Sequence, residues 1–380
     1  AARVVAGATL RDLMRFVDRS LLQRTTEGRY GMHGLLRRYA MEKLERSPDG
    51  GLAARDRHAA YYSRAMEGWG RDIYLARQSM VLQEMGVDMG NIRAAWEWAV
   101  ERGRINWLDQ AADAWAQCLW QQQRWEEVGA VFDVAASALK AAATSRPAIA
   151  EKAPSPGERA RVLARIKGHQ GMFHLFLGHR EQASLLLQEA LDLLAEAERA
   201  GLDVRWEKAR AVRRMGEPVF LSQPEVTRKF IERALALARE AGYRVEEGID
   251  LRGLGNLAAN AGRYEEARRW HEEALAVRRE LGGPWHILES LWDLYWPARA
   301  LGRLAEMERL VREVEAVLGQ IRDPAAMAWG RGNLGLMLYN VGRFSKARPI
   351  FEESVALWEE LGIRQPLATQ LIFLGRNELF

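Results

Sequence analysis

The sequence is poor in the residues and motifs that build covalent, metal or catalytic sites. Its 380 residues include one cysteine, Cys118, so a single chain cannot form a disulfide framework or a thiolate metal cage. The His-Glu-x-x-His zinc motif is missing, and so is the Gly-x-x-x-x-Gly-Lys-Ser/Thr phosphate loop, since no Gly-Lys pair occurs anywhere. We therefore predict that the chain is not an enzyme and holds neither a metal nor a cofactor.

Long apolar runs are scarce as well. No stretch approaches the roughly 20 apolar residues that a membrane span needs, so no contact with a membrane is expected. The low cysteine content favours a reducing, cytoplasmic setting. The chain begins with Ala-Ala-Arg, without an initiator Met or a signal peptide, and we expect it to be a segment of a longer protein.

Runs of β-branched residues are almost absent, whereas the good helix formers Ala, Leu, Arg and Glu dominate. This composition predicts an all-α chain, and its length favours several units or a solenoid over one compact core. The net charge of +4 is uneven, because residues 1–65 carry 13 basic and 7 acidic side chains. That basic end could attract nucleic acid, but an arginine-rich surface without such a partner is the interpretation we favour.

A short pattern recurs along the chain with a period of 40 residues. A Gly-Arg pair, then an aromatic or apolar residue and a small or medium residue three further on, begins at Gly262, Gly302 and Gly342. Glycine tolerates the left-handed conformation that ends a helix. A second small residue lies seven positions before some of these turns, as in Gly255 and Gly335, where it would let two helices approach closely. Weaker copies lie near Gln123, Gly178 and Ser222.

The pattern resembles the tetratricopeptide repeat, whose Leu-Gly, Gly-x-Tyr-x-x-Ala and spaced Ala are nearly complete from Leu254 to Ala274. The resemblance implies a right-handed α-solenoid with a first divergent repeat at residues 105–146 and a superhelix at residues 158–380. Residues 141–157 are expected to form an exposed loop. Pro218 and Pro297 fall inside first helices of their repeats and are expected to kink or break them.

The N-terminal residues predict a helix over 9–17, a hairpin around residues 25–28 and a helix over 33–46. Two phrases, Asp18 to Leu22 and Arg29 to Arg37, resemble the winged-helix domain of STAND-class signalling NTPases, and Asp88 to Ala95 resembles the segment that follows it. The resemblance implies a winged-helix remnant at residues 1–47 and a helical linker domain at residues 48–104.

His33 matches the histidine of the family's Met-His-Asp motif, which approaches the phosphate of a bound nucleotide, although Gly34 replaces the aspartate. The resemblance therefore implies nucleotide sensing by His33 only in a full-length parent, with ATP or ADP bound in an upstream domain. The alternative is a solvent-exposed histidine at a helix N-terminus, which we favour for this chain.

The first helices of stacked pairs line the concave face of such a solenoid. Asparagine can hold a peptide backbone, arginine can grip a carboxylate or phosphate, and tryptophan offers a stacking platform. The tryptophans could equally be core residues, since they are spaced by four. The positions predicted on this face are Arg252, Asn256, Asn260, Trp292, Trp296, Arg299, Trp329, Asn333, Tyr339 and Asn340.

These observations favour a sensor module of a STAND signalling ATPase, which would bind a protein, peptide or small-molecule inducer in its concave groove. Its other expected partner is its own upstream ATPase domain. The first alternative is a passive peptide-binding scaffold. The second is contact with DNA through the basic winged-helix end, which is the weakest reading because no complete helix-turn-helix is evident.

Overall fold

The computed structural model describes residues 1–25, 28–46, 48–121, 125–142, 154–217 and 222–377. The described part is almost entirely helical, with one short hairpin. The N-terminal elements are α1 (Ala2–Ala6), α2 (Leu10–Asp18), β1 (Gln23–Arg24), β2 (Tyr30–Gly31) and α3 (Gly34–Glu45). They are followed by α4 (Pro48–Asp72), α5 (Gln78–Val87), α6 (Met89–Glu101), α7 (Ile105–Gln121) and α8 (Trp125–Ala142).

The remaining helices form successive pairs. They are α9 (Pro156–Phe176) with α10 (Arg180–Arg199), α11 (Arg205–Gly216) with α12 (Pro224–Ala241), α13 (Arg244–Asn260) with α14 (Tyr264–Leu281), α15 (Pro284–Ala300) with α16 (Leu304–Leu318), α17 (Pro324–Asn340) with α18 (Phe344–Leu361), and finally α19 (Arg364–Asn377). The all-α prediction is confirmed.

The N-terminal elements follow the predicted helix–hairpin–helix order. Thr9 caps α2 through a reciprocal pair of hydrogen bonds with Asp12, a capping box that fixes where the helix begins. The antiparallel strands pair Gln23 with Gly31 and Arg24 with Tyr30. No side chain of α1, α2 or α3 is buried. The winged-helix assignment of this unit remains a prediction.

The turns between paired helices are closed by the predicted glycines. Gly262 and Gly342 adopt φ values of +73° and +78°, which favour glycine because it has no Cβ. The helix predicted from Arg263 to Leu281 is confirmed, with Arg263 as its N-cap.

The paired helices also nest on the predicted small residues. A Cβ added at Gly255 would lie 2.4 Å from Cε1 of His271, and one added at Gly335 would lie 2.7 Å from the Phe351 ring. Each partner side chain belongs to the second helix of the same pair. The absence of a side chain at these positions therefore sets the distance between the two helices, as the seven-residue spacing predicts.

The contacts between pairs show which side of the solenoid is the inner one. Successive first helices, α7, α9, α11, α13, α15 and α17, touch their neighbours, and each second helix packs against the next first helix. Successive second helices meet through the ends of long side chains, as in the Arg228–Glu266 and Arg279–Glu313 ion pairs, and not through close approach of their backbones. Elements on the inside of a curve lie closer together, so the first helices line the inner face.

The hydrophobic core does not stop at the predicted limit of the helical linker domain. One continuous cluster joins α4 and α6 to α9, from Ala59 through Trp96 and Trp115 to Phe173. A second cluster runs from Leu275 on α14 to Phe351 on α18. Residues 48–104 therefore share their core with the helices that follow, while the domain limits themselves remain predictions.

The two interrupting prolines have different outcomes. Of the expected kink or break at Pro297, the break is wrong, because α15 continues through it to Ala300, while a kink remains a prediction. Pro297 is buried in the last turn, where few backbone hydrogen bonds follow it, so packing against neighbouring helices outweighs the loss of its N–H. Pro218 and most of the predicted loop at residues 141–157 lie outside the described residues.

Candidate functional site

All ten predicted concave residues lie on three consecutive first helices. Arg252, Asn256 and Asn260 are on α13, while the others are on α15 and α17. The repeat register therefore places them on the helices that line the inner face, and their role in binding remains a prediction. We call this set the candidate face.

Four tryptophans form the centre of the candidate face, and we call them the aromatic patch: Trp285, Trp292, Trp296 and Trp329. The Trp292 ring lies 5.2 Å from Trp296 and 6.2 Å from Trp329, and Trp285 lies 5.0 Å from Trp329. Trp296 is 38% exposed, and the other three are half-buried. Trp285 was not predicted, because it lies in the first turn of α15, before the positions aligned on the turn glycine.

Polar groups border the aromatic patch. The Arg299 guanidinium lies 5.6 Å from the centre of the Trp296 ring, in a cation–π contact. Asn333 is half-buried, and its Nδ2 has no hydrogen-bond partner within the described structure. A buried amide without a partner costs free energy, so the Asn333 side chain does not contribute its full hydrogen-bonding capacity to the fold.

Two other predicted residues of α17, Tyr339 and Asn340, make contacts within the protein. The side chain of Asn340 hydrogen-bonds the Tyr295 hydroxyl, which also donates to the Met337 carbonyl at 3.2 Å. Burial raises the pKa of Tyr295 to about 12. Tyr339 packs edge-on against Phe344 at 5.1 Å, across the turn to the next helix. These contacts hold α15, α17 and α18 together behind the candidate face.

On α13, Arg252 is held by carboxylates of the neighbouring first helix. It pairs with Asp293 and, at 3.4 Å, with Glu289, so it links α13 to α15. Asn256 is half-buried and Asn260 is exposed, and both remain available on the same helix. A ligand that used Arg252 would have to compete with two carboxylates.

His33 lies far from this set in the chain, at the start of α3. It is exposed and caps the helix, with its Nδ1 accepting from the Leu35 N–H at 3.4 Å. This geometry agrees with the alternative of an exposed N-terminal histidine. A role in nucleotide sensing remains a prediction for a full-length parent.

A second set of residues on the inner face was not predicted, and we call it the arginine network. It is a group of ion pairs that joins α7, α9, α11 and α13. Its members are Asp109, Asp113, Arg161, Arg165, Glu207, Arg210, Arg213, Glu246 and Asp250.

The arginine network is tightly packed. Arg210 donates to Asp113 at 2.5 Å and Arg213 to Glu246 at 2.6 Å, while Trp206 is stacked between Arg165 and Arg210. These charged side chains are largely buried. Each arginine therefore has a nearby carboxylate that offsets the cost of removing it from water.

Two groups beside the network, His169 and Arg214, have lowered pKa values. His169 lies with its Nε2 2.8 Å from Asp113, and burial lowers its pKa to about 3, so it is neutral in the folded protein. Arg214 donates to the Gly168 carbonyl at 2.7 Å and to the Met172 sulfur instead of a carboxylate. Burial and the neighbouring arginines lower its pKa to about 9.

The sequence does contain a signal for this network. Acidic side chains four residues apart, such as Asp109 and Asp113, place two charges on one face of a helix, and basic pairs such as Arg161 and Arg165 do the same. Such charged faces are typical of exposed helix surfaces. In the network they face the neighbouring first helices instead.

Two negative findings apply to the described residues. No group of three or more His, Cys, Asp or Glu side chains there is arranged to hold a metal ion. None of the helices in this part of the chain is long and apolar enough to cross a bilayer.

Comparison with known families and structures agrees with the repeat. Models of the tetratricopeptide repeat match residues 221–280 and 328–361. No curated protein matches the sequence significantly. The described fold is thus an all-α, tetratricopeptide-like solenoid, which is typical of non-catalytic modules that bind other proteins.

Several solved structures resemble the chain. A STAND protein with a tetratricopeptide repeat sensor from Pyrococcus horikoshii has a TM-score of 0.52 and 15% identity, covering 99% of this chain. The chain spans 56% of that protein. Aspartyl phosphate phosphatase F from Bacillus subtilis has a TM-score of 0.49 and 13% identity, over 85% of this chain and 75% of that one. A Rap protein complexed with Competence and Sporulation Factor has a TM-score of 0.47 and 11% identity, over 84% and 97%.

Proposed function

We propose that the chain is a sensor module that binds a peptide, protein or small-molecule inducer on the candidate face, without catalysis of its own. The observation that carries this proposal is the aromatic patch with Arg299 and the unpartnered Asn333 beside it. Large aromatic surface next to a cation and an amide is the composition of ligand-binding surfaces. In the neighbouring arginine network, by contrast, each arginine pairs with a carboxylate of another first helix.

We further propose that this sensor belongs to a STAND-class signalling ATPase. Two facts support it: the phrases at residues 18–37 and 88–95 that resemble that class, and a fold similar to a STAND protein with a repeat sensor. In such an arrangement, an inducer would shift an attached ATPase between states through its differential affinity for them. We expect the full-length parent protein to carry a phosphate-loop ATPase domain before this segment. A parent without such a domain would favour the passive peptide-binding scaffold instead.

A thermal-shift screen of metabolites and peptides tests the binding site. We expect at least one compound to raise the melting temperature of the wild-type chain, and Trp296→Ala to lose that increase. Trp270→Ala is the matched control, because Trp270 is a half-buried tryptophan on the second helix α14. A compound that stabilises Trp296→Ala and wild type equally would bind elsewhere and contradict the assignment.

A further inference from the structure

The loop between α4 and α5 crosses the inner face and meets the turn between α14 and α15. We call residues 73–78 the closure loop. Leu75 forms an antiparallel β-bridge with Gly282, and Gln78 Oε1 accepts a hydrogen bond from the Trp285 N–H at 3.1 Å, across 207 positions of sequence. Ile73 and Gln78 are buried. The chain thus returns on itself at this point.

The contact is close enough to require glycine on the repeat side. A Cβ at Gly283 would lie 2.5 Å from the Tyr74 carbonyl oxygen, and one at Gly282 would lie 3.3 Å from the Ala76 Cβ. The two backbones therefore lie in direct contact, as in the pairing of an extended peptide with a strand.

Tyr74 extends this contact across the groove. Its hydroxyl donates to Gln117 Oε1 on α7 at 3.0 Å, and its ring stacks on His286 of α15 at 5.3 Å. Val245 and Ile249 of α13 line the same pocket. One side chain of the closure loop thus connects the first helices at both ends of the arginine network.

The closure loop also touches the aromatic patch, through Trp285. The Trp285 backbone is held by Gln78, while the Trp285 ring belongs to the aromatic patch. His286 hydrogen-bonds Glu289 at 3.2 Å, and Glu289 is one of the two carboxylates that hold Arg252. The closure loop and the aromatic patch therefore share contacts through Trp285, and the loop is linked to Arg252 through His286 and Glu289.

We propose that the closure loop is an intramolecular occupant of the inner groove, which holds the solenoid closed and competes with an extended peptide for residues 282–286 beside the candidate face. A competing peptide should carry the same groups as the closure loop. These are an extended main chain that pairs with residues 282–283, an aromatic side chain that stacks on His286, and an amide oxygen that accepts from the Trp285 N–H. This regulation rests on the proposed function, but the closure itself can be tested without an external ligand.

A disulfide tests the closed arrangement. Cysteines at positions 76 and 282 would place their Cβ atoms about as close as the 3.5–4.5 Å of natural disulfides. We expect Ala76→Cys/Gly282→Cys to oxidise almost completely to a monomer with altered mobility on a non-reducing gel. Ala76→Cys/Gly302→Cys is the control, because Gly302 is another turn glycine, with φ of +67°. Native Cys118 is buried and common to both. Equal cross-linking of the two variants, or none in the first, would overturn the closure.

A peptide in trans tests the occupancy. The probe is a synthetic peptide of residues 70–81, with a scrambled version as its control. We expect Tyr74→Ala/Gln78→Ala, which loses both anchors, to bind the peptide at least tenfold more tightly than the wild type, as measured by fluorescence anisotropy. Circular dichroism checks that the variant keeps its helices.

Equal binding by variant and wild type, or no binding to a helical variant, would overturn the proposal. Neither experiment uses an inducer. The closure can therefore fail while the thermal-shift screen succeeds, and the screen can fail while the closure is established.

Discussion

Between α7 and α13 the inner face is filled with ion pairs and covered by the closure loop, whereas between α15 and α17 it is lined by tryptophans. Both regions are built from the same helical pair with the same spacing. In the first, buried arginines find carboxylates on neighbouring helices, as Arg213 does with Glu246 and Asp250. In the second, Asn333 keeps an unpartnered amide. The comparison teaches that one repeat can hold its inner face together with ion pairs in one place and leave a partly exposed aromatic patch in another, where Trp296 is 38% exposed.

The largest effect should come from breaking the arginine network. Asp113→Ala would leave Arg165, Arg210 and His169 without their common carboxylate. Loss of one partner of a buried pair typically costs 3–5 kcal/mol, and we expect about 3 kcal/mol because Asp113 is one-quarter exposed. The free energy of unfolding in urea measures this.

Asp203→Ala is the matched control for that variant. Asp203 pairs with Arg205 at 2.6 Å, but both side chains are about half exposed, so solvent screens the pair and the cost should be much smaller than for Asp113→Ala. If Asp113→Ala cost no more than Asp203→Ala, the network would not hold the first helices together, and the contrast with the aromatic patch would disappear.

The helical pairs could be predicted from the sequence because local spacing determines them. Gly335 and the turn at Gly342 are seven residues apart, and the side chain that Gly335 accommodates, Phe351, follows within the same pair. Period, turn and nesting thus all appear within 40 residues. The predicted candidate face follows from the same register, which is why its members lie on consecutive first helices.

The second largest effect is expected where α17 packs closely on α18 at Gly335, behind the aromatic patch. Gly335→Ala would bring a Cβ to 2.7 Å from the rigid Phe351 ring. We expect a loss of about 2 kcal/mol in the free energy of unfolding, as for other overpacked cores. Gly86→Ala is the control, since an exposed helical glycine with open space should gain up to about 1 kcal/mol. A neutral Gly335→Ala would mean that the helices can separate without cost.

A smaller effect is the pH dependence of the free energy of unfolding, which we expect from His169 beside the arginine network. The folded pKa of His169 is lowered to about 3, below the ordinary value of 6.5. The stability that depends on its neutral form is therefore present above pH 6.5 and is lost as the pH falls from 6.5 towards 3. Between pH 6.5 and 5.5 we expect a loss of about 1 kcal/mol from this group.

His169→Gln, which keeps a donor for Asp113, should remove that component. Urea unfolding at the two pH values, compared between wild type and variant, isolates the contribution of His169 from those of other groups. An identical pH dependence in the two proteins would show that His169 does not titrate as its burial requires.

The arginine network and the closure loop could not be predicted from local spacing. Arg210 meets Asp113 across 97 positions, and Gln78 meets Trp285 across 207. The sequence of α11 is rich in arginine and is typical of an exposed helix, yet Arg210 and Arg213 are buried because neighbouring first helices supply carboxylates. Such pairing depends on the stacking of whole repeats, which no single repeat encodes.

The smallest effect on stability is expected at Asn333, which borders the aromatic patch. A substitution there tests whether this residue contributes to folding. The Asn333 amide has no partner for its Nδ2, so Asn333→Leu should leave the free energy of unfolding unchanged or raise it by up to about 1 kcal/mol. Asn91→Leu is the matched control. Asn91 is also half-buried, but its Nδ2 donates to Asp88 at 2.9 Å, so its loss should cost about 1 kcal/mol. If Asn333→Leu proved as costly as Asn91→Leu, Asn333 would be structural, and the two regions of the inner face would differ only in the kind of adhesion they supply.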